Sequence, residues 1–409
     1  MSEAVSFEPP RGMRDFYPAD MVWRNRVFDA MRTSAAKFGF EPYDACVVES
    51  YELLARKAGE EVGEQIYHFQ DKSERHLALR AEMTPTLARM VAQRQKELAF
   101  PLKWTTIAQC FRYERTTKGR KREHYQWNCD IIGEDSILAE VEVLGCAVDA
   151  LKRMGLTTGD FKVHVSSRKF LGELLEKSGI GTEKHAQVFL ALDKRGKMPD
   201  TEIAAMLKDG GLDDDEVAAT FAIMDTKDYS ASAELSALFK MAETAGFADA
   251  LVFDIGVIRG LSYYTGIVFE CFDTKGEFRA IFGGGRYDNL LTTIGGEPTS
   301  AVGLGFGDVV VTELLKARLG DAAAQAPEGV AVGFMFPEQA AAAVKLAAKL
   351  RERGEKVDLA LHPVKPKKFF SRADAARAAK AVFLGPDDVE RGVARMKDLA
   401  TRTESEIEL

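Results

Sequence analysis

Two hydrophobic periodicities alternate over roughly the first third of the chain. Apolar side chains recur at helical spacing in residues 18–40, which end in a Phe-Gly-Phe stop, and in residues 137–155, which end at Gly155. These two segments are predicted to be amphipathic helices. Between them, β-branched and aromatic residues cluster or alternate between turn signals, which predicts strands joined by hairpins. The predicted strands are residues 43–50, 76–83, 102–114 and 125–133.

The central part of the chain interrupts its strand pattern with a helical segment. Residues 161–167 alternate like a strand, whereas residues from about 168 to 245 form short helical stretches rich in Lys, Asp, Glu and Ala. Residues 301–320 are predicted as a strand that runs into a helix. We therefore expect a small helical insertion between two halves of one sheet. Strand patterning after the insertion covers residues 247–260, 263–272 and 277–291.

The C-terminal part has a third pattern. Residues 321–329 have the composition of a linker, with small residues and a Pro-Glu-Gly break. After them, short apolar strand segments alternate with helical ones, beginning with a strand at 329–336 and a helix at 338–354. This alternation predicts a small, mostly parallel α/β domain.

Length and composition narrow the class of protein. A chain of 409 residues is too long for one hydrophobic core and suggests two or three domains. Its contents of 46% hydrophobic and 29% charged residues are ordinary for a globular enzyme. No apolar run approaches a membrane span, and the N-terminus lacks the basic and apolar regions of a signal peptide. We therefore expect a cytoplasmic protein that has no membrane partner.

Cysteine, histidine and net charge exclude some kinds of site. Five scattered cysteines argue against a disulfide framework, and six dispersed histidines give no metal-ligand spacing, so no protein-bound metal is expected. The net charge of −8 does not indicate nucleic-acid binding. Local basic patches can still contact phosphates, because the positions of the basic residues matter more than the net charge.

The densest group of charged residues lies in the segment CFRYERTTKGRKREHYQWNCD. On a strand, Arg112 and Glu114 would share one face and Arg115 the other, while TTKGRKRE would form an exposed basic turn. A solvated hairpin with surface ion pairs would explain the turn alone. Gln126 and Asp130 add polar residues to one face of the return strand, which indicates a lined pocket. A guanidinium fork suits a phosphate, and the basic loop could follow a nucleic-acid end.

Two other segments combine polar residues with structural signals. The run RGLSYYTG begins at Arg259, which is too costly to bury without an anionic partner, so we expect a negatively charged ligand there. In LRAEMTP, Thr84 is predicted to cap a helix before Pro85, with Glu82 as a partner of the helix dipole. Alternatively, Glu82 and Thr84 bind an ammonium group, because side chains at i and i+2 point the same way in an extended chain.

Glycine-rich runs at 282–290 and 303–308 complete the set of candidate motifs. Taken alone, they predict tight turns and close strand packing. The G-x-G-x-x-G spacing of a dinucleotide fold, with its acidic partner, is missing, and so is a P-loop. A nucleotide would therefore bind on an antiparallel sheet through arginines.

At family level, FRYERTTKGRKREHYQ resembles motif 2 of class II aminoacyl-tRNA synthetases, and RGLSYYTGIVFE resembles the signature peptide of histidyl-tRNA synthetases. RGMRDFYP, LRAEMTP and GGGRYD stand in the order found in that family. The resemblance implies an α+β catalytic domain at 1–325, with an antiparallel sheet flanked by helices and a helical insertion. It also implies an anticodon-binding α/β domain at 329–409 and a homodimer paired through motif 1.

The resemblance implies a reaction and roles for particular residues. Histidine and ATP would form histidyl-adenylate with the help of Mg²⁺, and the histidyl group would pass to tRNA-His. Arg112 and Arg259 would be catalytic, and they would bind ATP together with Glu114. The residues implied for histidine binding are Glu82, Thr84, Gln126, Asp130, Tyr263 and Tyr264. The residues implied for tRNA binding are Lys118, Arg120, Lys121, Arg122, Lys367 and Lys368, with Lys365 and Arg372 as further candidates unless they form only a solvated helix face.

Several positions depart from the family pattern. Ser262 replaces an aspartate of the signature peptide, and Asp130 is one methylene shorter than the usual glutamate. Val309 and Val310 stand where motif 3 normally has Glu-Arg, and Cys46 stands where motif 1 normally has its proline. The alternative function is the regulatory subunit of ATP phosphoribosyltransferase, a non-catalytic relative that binds histidine. A nucleic-acid-binding protein without catalysis would leave the carboxylates and paired tyrosines unexplained.

Overall fold

The computed structural model describes residues 6–55, 65–117, 119–195, 198–258, 263–320 and 328–409. The chain divides into two units, Met1–Gly320 and Asp321–Leu409. Most of the predicted linker, residues 321–327, lies outside the described residues.

The first unit contains a large sheet of eight strands. The strands of this unit are β1 Glu41–Pro42, β2 Val48–Ser50, β3 His68–Gln70, β4 His76–Leu79, β5 Leu102–Phe111, β6 Glu123–Ile132, β7 Phe161–Ser167, β8 Leu251–Phe253, β9 Ile267–Asp273, β10 Phe282–Arg286 and β11 Ala301–Gly307. The strand order of the large sheet is β1-β5-β6-β11-β10-β9-β7-β8, antiparallel throughout except for the two parallel edge pairs, β1 with β5 and β7 with β8. A small antiparallel sheet has the order β2-β4-β3.

Helices flank this sheet, as predicted. The helix Leu138–Met154 is apolar over most of its surface and ends at Gly155, whose φ of +99° gives the left-handed cap that glycine favours. It packs with Pro18–Lys37, the first predicted helix. The α-helices are Pro18–Lys37, Tyr51–Ala55, Thr84–Arg94, Leu138–Met154, Arg168–Lys177, His185–Leu192, Asp200–Asp209, Asp214–Met224, Ala233–Thr244, Leu290–Thr293 and Asp308–Leu319.

Side chains of the β5–β6 hairpin point alternately to the two faces of the large sheet. The strands pair over ten residues, from Leu102 opposite Ile132 to Phe111 opposite Glu123. On one face of β6, Trp127 is buried against Phe306 with ring centroids 5.7 Å apart. Because successive side chains alternate across a strand, the even-numbered residues of β6 lie on the other face. We call this second face the site face.

Several predictions need correction at the level of single residues, and the strand predicted at 43–50 covers only Val48–Ser50. The strand predicted at 102–114 ends at Phe111, so Arg112, Glu114 and Arg115 lie in the following loop and do not alternate across a strand. Thr84 is the first residue of its helix, and Met83 occupies the N-cap position without a side-chain hydrogen bond. In the segment 247–260, the described strand is only Leu251–Phe253.

The second unit has a five-stranded sheet. The strands are β12 Val330–Phe334, β13 Val357–Leu359, β14 Lys380–Leu384, β15 Val393–Asp398 and β16 Glu404–Glu408, and the α-helices are Ala340–Glu352, Pro366–Ala375 and Pro386–Arg391. The strand order is β13-β12-β14-β15-β16, in which the first three strands are parallel and the last two antiparallel. The parallel part matches the prediction, but the final hairpin was not predicted because its charge-rich strands lack an apolar run.

Among the described residues, no helix combines the length and the apolar character needed to cross a membrane.

Candidate active site

A row of polar side chains follows the site face of β6. His124, Gln126, Asn128 and Asp130 occupy alternate positions of this strand. The Nε2 of Gln126 donates to Oδ1 of Asn128 at 2.9 Å. Burial lowers the pKa of His124 to about 3, and the nearby charge of Arg112 also lowers it. His124 is therefore neutral at physiological pH. The sequence pattern indicated Gln126 and Asp130, and the same alternation could have added His124 and Asn128.

Glycines of β11 leave room for this polar row. Gly303 lies opposite Asp130, and Gly305 lies opposite Asn128. A Cβ atom at Gly303 would overlap Oδ1 of Asp130, and one at Gly305 would lie 3.1 Å from Nε2 of Gln126. The predicted close packing is therefore correct for this run. We call the polar row of β6, together with the glycines Gly303 and Gly305 that pack against it, the trough.

The variant Gly303→Ala tests whether the polar row requires a glycine at this position. Because its Cβ would meet a buried carboxylate that cannot move away freely, we expect Gly303→Ala to destabilise the first unit by about 1–3 kcal/mol. We also expect weaker histidine binding, measured by calorimetry. The exposed Gly159, where the nearest atom to an added Cβ is 3.4 Å away, provides a matched control that should change neither quantity. Unaltered stability of Gly303→Ala would contradict the close approach.

Asp130 lies among tyrosines at one end of the trough. It is 1% exposed, and the hydroxyl of Tyr287 donates to its Oδ1 at 2.6 Å. Tyr263 packs between Tyr264 and Tyr287, with ring centroids 4.7 and 5.9 Å away respectively. Burial raises the pKa of Asp130 to about 7; the Tyr287 hydrogen bond opposes this rise, and the charge of Glu82 adds to it.

The raised pKa predicts a pH dependence of stability. An Asp has a pKa of about 3.9 in an unfolded chain, so Asp130 binds its proton more tightly in the folded protein. Its contribution to stability is complete below about pH 4 and is lost as the pH rises to about 7. We therefore expect Asp130→Asn, which cannot ionise, to gain stability relative to the unmodified protein across that window. Tryptophan fluorescence during urea unfolding measures this, and a difference that is constant with pH would contradict it.

The LRAEMTP segment contacts Arg112 beside the trough. The Nε of Arg112 donates to the carbonyl oxygen of Ala81 at 3.0 Å, next to Glu82. Arg80 is buried and donates to the carbonyl oxygen of Gln109 at 2.9 Å, which fixes this segment along the end of β5. Glu82 and Thr84 are each 7% exposed. The tertiary fold therefore brings the LRAEMTP segment and the first residue after β5 together.

The loop between β5 and β6 folds back on itself. The Nε of Arg120 lies 2.9 Å from Oε2 of Glu114, whose Oε1 lies 4.0 Å from Nη1 of Arg112. Glu114 therefore lies between two guanidinium groups. Gly119, at φ +83°, packs near Val310, because a Cβ at Gly119 would lie 3.5 Å from Cγ2 of that valine.

A basic cavity of about 290 Å³ opens beside this loop. The guanidinium of Arg122 lies over the ring of Tyr113, with its Cζ 3.9 Å from the ring centroid. Lys121 is half-buried. The residues that line the cavity are Arg11, Tyr113, Glu114, Arg115, Thr116 and Arg122.

Arg14 attaches the N-terminal segment to the site, a role that sequence reasoning missed. Its backbone N–H donates to Oε1 of Glu123 at 3.0 Å, and its Nη1 lies 3.1 Å from Oδ2 of Asp308. The other carboxylate oxygen of Asp308 accepts from the backbone N–H of Tyr125 at 2.8 Å. Asp308 begins the helix that contains Val309 and Val310.

The GGGRYD segment, at the end of β10, bonds to elements that surround the site. The Nε and Nη2 of Arg286 each donate to a carboxylate oxygen of Glu140 at 2.6 Å, and Nη1 donates to Ser300. Oδ2 of Asp288 accepts from the hydroxyl of Thr265 at 2.6 Å. Together with the Tyr287 contact to Asp130, these bonds connect β10 to a flanking helix and to the tyrosine cluster.

The remaining predicted residues lie elsewhere. Lys365, Lys367, Lys368 and Arg372 are exposed at or near the helix Pro366–Ala375 of the second unit, where Arg372 lies 3.5 Å from Asp358. Lys118 and Arg259 are outside the described residues.

Comparison with known proteins shows the family of this chain. The family model for histidyl-tRNA synthetase matches residues 12–307, and the model for the anticodon binding domain matches residues 330–409. A chloroplastic/mitochondrial histidine–tRNA ligase of Arabidopsis thaliana is 42% identical over 417 residues, which cover 99% of this chain and 86% of the relative.

Solved structures share the fold. A histidyl-tRNA synthetase from Nostoc sp. PCC 7120 superposes with a TM-score of 0.83 at 22% identity, covering 99% of this chain and 97% of the other. A protein from Bacillus halodurans C described as an ATP phosphoribosyltransferase regulatory subunit/histidyl-tRNA synthetase has a TM-score of 0.76 at 25% identity, covering 94% and 99% respectively. From the family match over most of its length, the chain belongs to the histidyl-tRNA synthetase family.

Proposed function

We propose that this protein is a histidine–tRNA ligase, which activates histidine with ATP and transfers it to the 3′ end of tRNA-His. The single observation that carries the proposal is the buried Asp130, placed among tyrosines at the end of a glycine-floored trough beside Arg112. A carboxylate and phenols suit an imidazole, which offers one N–H donor and one bare nitrogen.

The histidine substrate would lie along the trough with its ring at Asp130. The carboxylate accepts the ring N–H, and a tyrosine hydroxyl serves the second nitrogen, a role that family resemblance gives to Tyr264 with Tyr263 beside it. The α-ammonium group then points toward Glu82 and Thr84. These residues follow Ala81, whose carbonyl oxygen accepts a hydrogen bond from Arg112. Gln126 supplies a further acceptor for this ammonium group through its amide oxygen.

The activation step requires stabilisation of charge on the α-phosphate. A carboxylate oxygen of histidine attacks the α-phosphorus, the bond from that phosphorus to the bridging oxygen breaks, and pyrophosphate leaves. Arg112 and Arg259 would hold the non-bridging oxygens, so the help is electrostatic and needs no covalent intermediate. Glu114, already between two guanidinium groups, would orient the nucleotide and the arginines.

Magnesium would enter with ATP. In the part of the chain that the structure describes, no group of three or more His, Cys, Asp or Glu residues is arranged to hold a metal ion. Mg²⁺ commonly keeps several waters and binds substrate phosphates, where it neutralises the leaving pyrophosphate.

The transfer step would use basic residues of both units. Arg120, Lys121 and Arg122 belong to the loop beside the trough, where the acceptor end of tRNA must arrive, and Lys118 is assigned with them from the sequence alone. We assign residues 1–325 to catalysis and 329–409 to binding of the anticodon region, where Lys367 and Lys368 are exposed. A cytoplasmic homodimer paired through motif 1 completes the proposal.

The alternative is a histidine-binding regulatory subunit of ATP phosphoribosyltransferase. The similarity to the Bacillus halodurans structure and the valine at the motif 3 arginine position keep it open to test. The match of residues 330–409 to an anticodon binding domain favours the ligase, because a regulatory subunit has no tRNA to bind.

The deciding experiment is histidine-dependent exchange of pyrophosphate into ATP, with no tRNA added and with the other amino acids as controls. Exchange with histidine alone is the expected result, and it would also mean that Val310 is compatible with activation. Histidine binding without exchange would overturn the ligase proposal in favour of the regulatory subunit.

A further inference from the structure

The corner between β7 and the helix Arg168–Lys177 bonds to a distant part of the chain. Arg168 is the first residue after β7, and it is half-buried. Its Nη1 donates to the carbonyl oxygen of Tyr264 at 3.1 Å, and its Nε donates to that of Ile258 at 3.3 Å. The backbone N–H of Arg168 donates to the carbonyl oxygen of Gly266 at 3.0 Å. One residue therefore bonds to three main-chain oxygens between β8 and β9.

Two of these bonds flank the segment that contains Arg259. The carbonyl of Ile258 belongs to the peptide bond that leads to Arg259. Because a peptide bond is planar, a hydrogen bond to this oxygen constrains the plane from which the chain continues into that residue. The bond to Tyr264 constrains the chain on the other side of residues 259–262, which are outside the described residues. Both bonds come from a cation, and such bonds are stronger than those between neutral groups.

The helical insertion holds the same corner from the other side. The Cζ of Arg168 lies 5.2 Å from the ring centroid of Phe189, in the insertion helix His185–Leu192. An aromatic face attracts a guanidinium at this distance. The neighbouring Ser167 donates a hydrogen bond from its hydroxyl to the carboxylate of Glu234, which also belongs to the insertion. The guanidinium is therefore fixed by the insertion while it donates to the chain between β8 and β9.

We propose that Arg168 is a positioning residue for the activation step, because it holds the main chain on both sides of residues 259–262 and so presents Arg259 to the α-phosphate of ATP. This inference rests on the proposed function and deepens it. It names a residue that touches neither substrate and acts through the main-chain carbonyls of Ile258 and Tyr264.

A double-mutant cycle tests whether Arg168 acts through Arg259. Arg168→Met keeps an unbranched side chain but removes the donors, so we expect it to slow histidine-dependent pyrophosphate exchange by about 10–100-fold. The same substitution in the Arg259→Ala protein should slow this reaction no further, because the side chain to be positioned is gone. Equal slowing in both backgrounds would overturn the inference, since a purely structural role does not depend on Arg259.

Two further variants control for charge and for loss of a main-chain hydrogen bond. Arg168→Lys keeps the cation but not the two-pronged geometry, so its rate should lie between those of Arg168→Met and the unmodified protein. It also replaces Arg168→Met in the cycle if the methionine variant does not fold. Arg26 is another half-buried arginine, whose Nε donates to the carbonyl oxygen of Met154 at 3.0 Å. Arg26→Met should leave pyrophosphate exchange unchanged.

Hydrogen–deuterium exchange read by mass spectrometry tests the same inference without catalysis. In Arg168→Met, the amide hydrogens of residues 257–266 should become labelled several-fold faster than in the unmodified protein and in Arg26→Met. Unchanged labelling of this segment would overturn the inference even in an active enzyme. Faster labelling in Arg168→Met, combined with no pyrophosphate exchange by the unmodified protein, would overturn the proposed function and still support the contact of Arg168 with this segment as the one that positions it.

Discussion

Replacement of Arg112 by alanine is expected to slow histidine-dependent pyrophosphate exchange by about 10²–10³-fold. The guanidinium donates to the carbonyl oxygen of Ala81 and lies 4.0 Å from a carboxylate oxygen of Glu114, so it is held in place before ATP binds. A preorganised cation stabilises charge that grows on the α-phosphate, whereas it contributes little to recognition of the imidazole. The affinity for histidine alone, measured by calorimetry, should therefore change little.

Arg115 provides the matched control for this prediction. It is an exposed arginine of the same loop, and Arg115→Ala should leave exchange without tRNA close to normal. We expect Arg259→Ala to resemble Arg112→Ala, since both arginines are assigned to the α-phosphate. Normal exchange by Arg112→Ala would remove it from the catalytic assignment.

Replacement of Arg286 by methionine is expected to lower the free energy of unfolding of the first unit by about 3–5 kcal/mol. Both guanidinium contacts to Glu140 are 2.6 Å long, and the Glu140 side chain is 1% exposed. Loss of the arginine would leave a buried carboxylate without its counter-charge. All three tryptophans, Trp23, Trp104 and Trp127, lie in the first unit, so their fluorescence during urea unfolding follows this unit.

Two further variants test the cause of this destabilisation. Joint replacement of Arg286 and Glu140 by methionine should recover much of the loss, because no buried charge remains. Arg32→Met breaks an ion pair with Asp29 whose side chains are 64% and 71% exposed, so it should hardly change stability. Equal effects of Arg286→Met and Arg32→Met would show that burial of the pair is not the cause.

Local pattern was a good guide wherever one face of an element is buried. Alternation predicted β5, β6 and β7, and helical spacing predicted Pro18–Lys37 and Leu138–Met154, because hydrophobic burial imposes the period of each element. It failed where a strand is too short to show its period or too rich in charged residues to carry an apolar run. The three-residue strand Leu251–Phe253 and the charge-rich β15–β16 hairpin are the clearest cases.

The sequence by itself determined which chemical groups this site contains. The order of its motifs identified the family, and the polar row on β6 followed from a period of two. Only the tertiary structure decided which groups meet. Tyr287 donates a hydrogen bond to Asp130 although 157 positions separate them in the chain, and Gly303 matters because of the residue opposite it. Strand register sets these contacts, and register depends on the packing of the whole sheet.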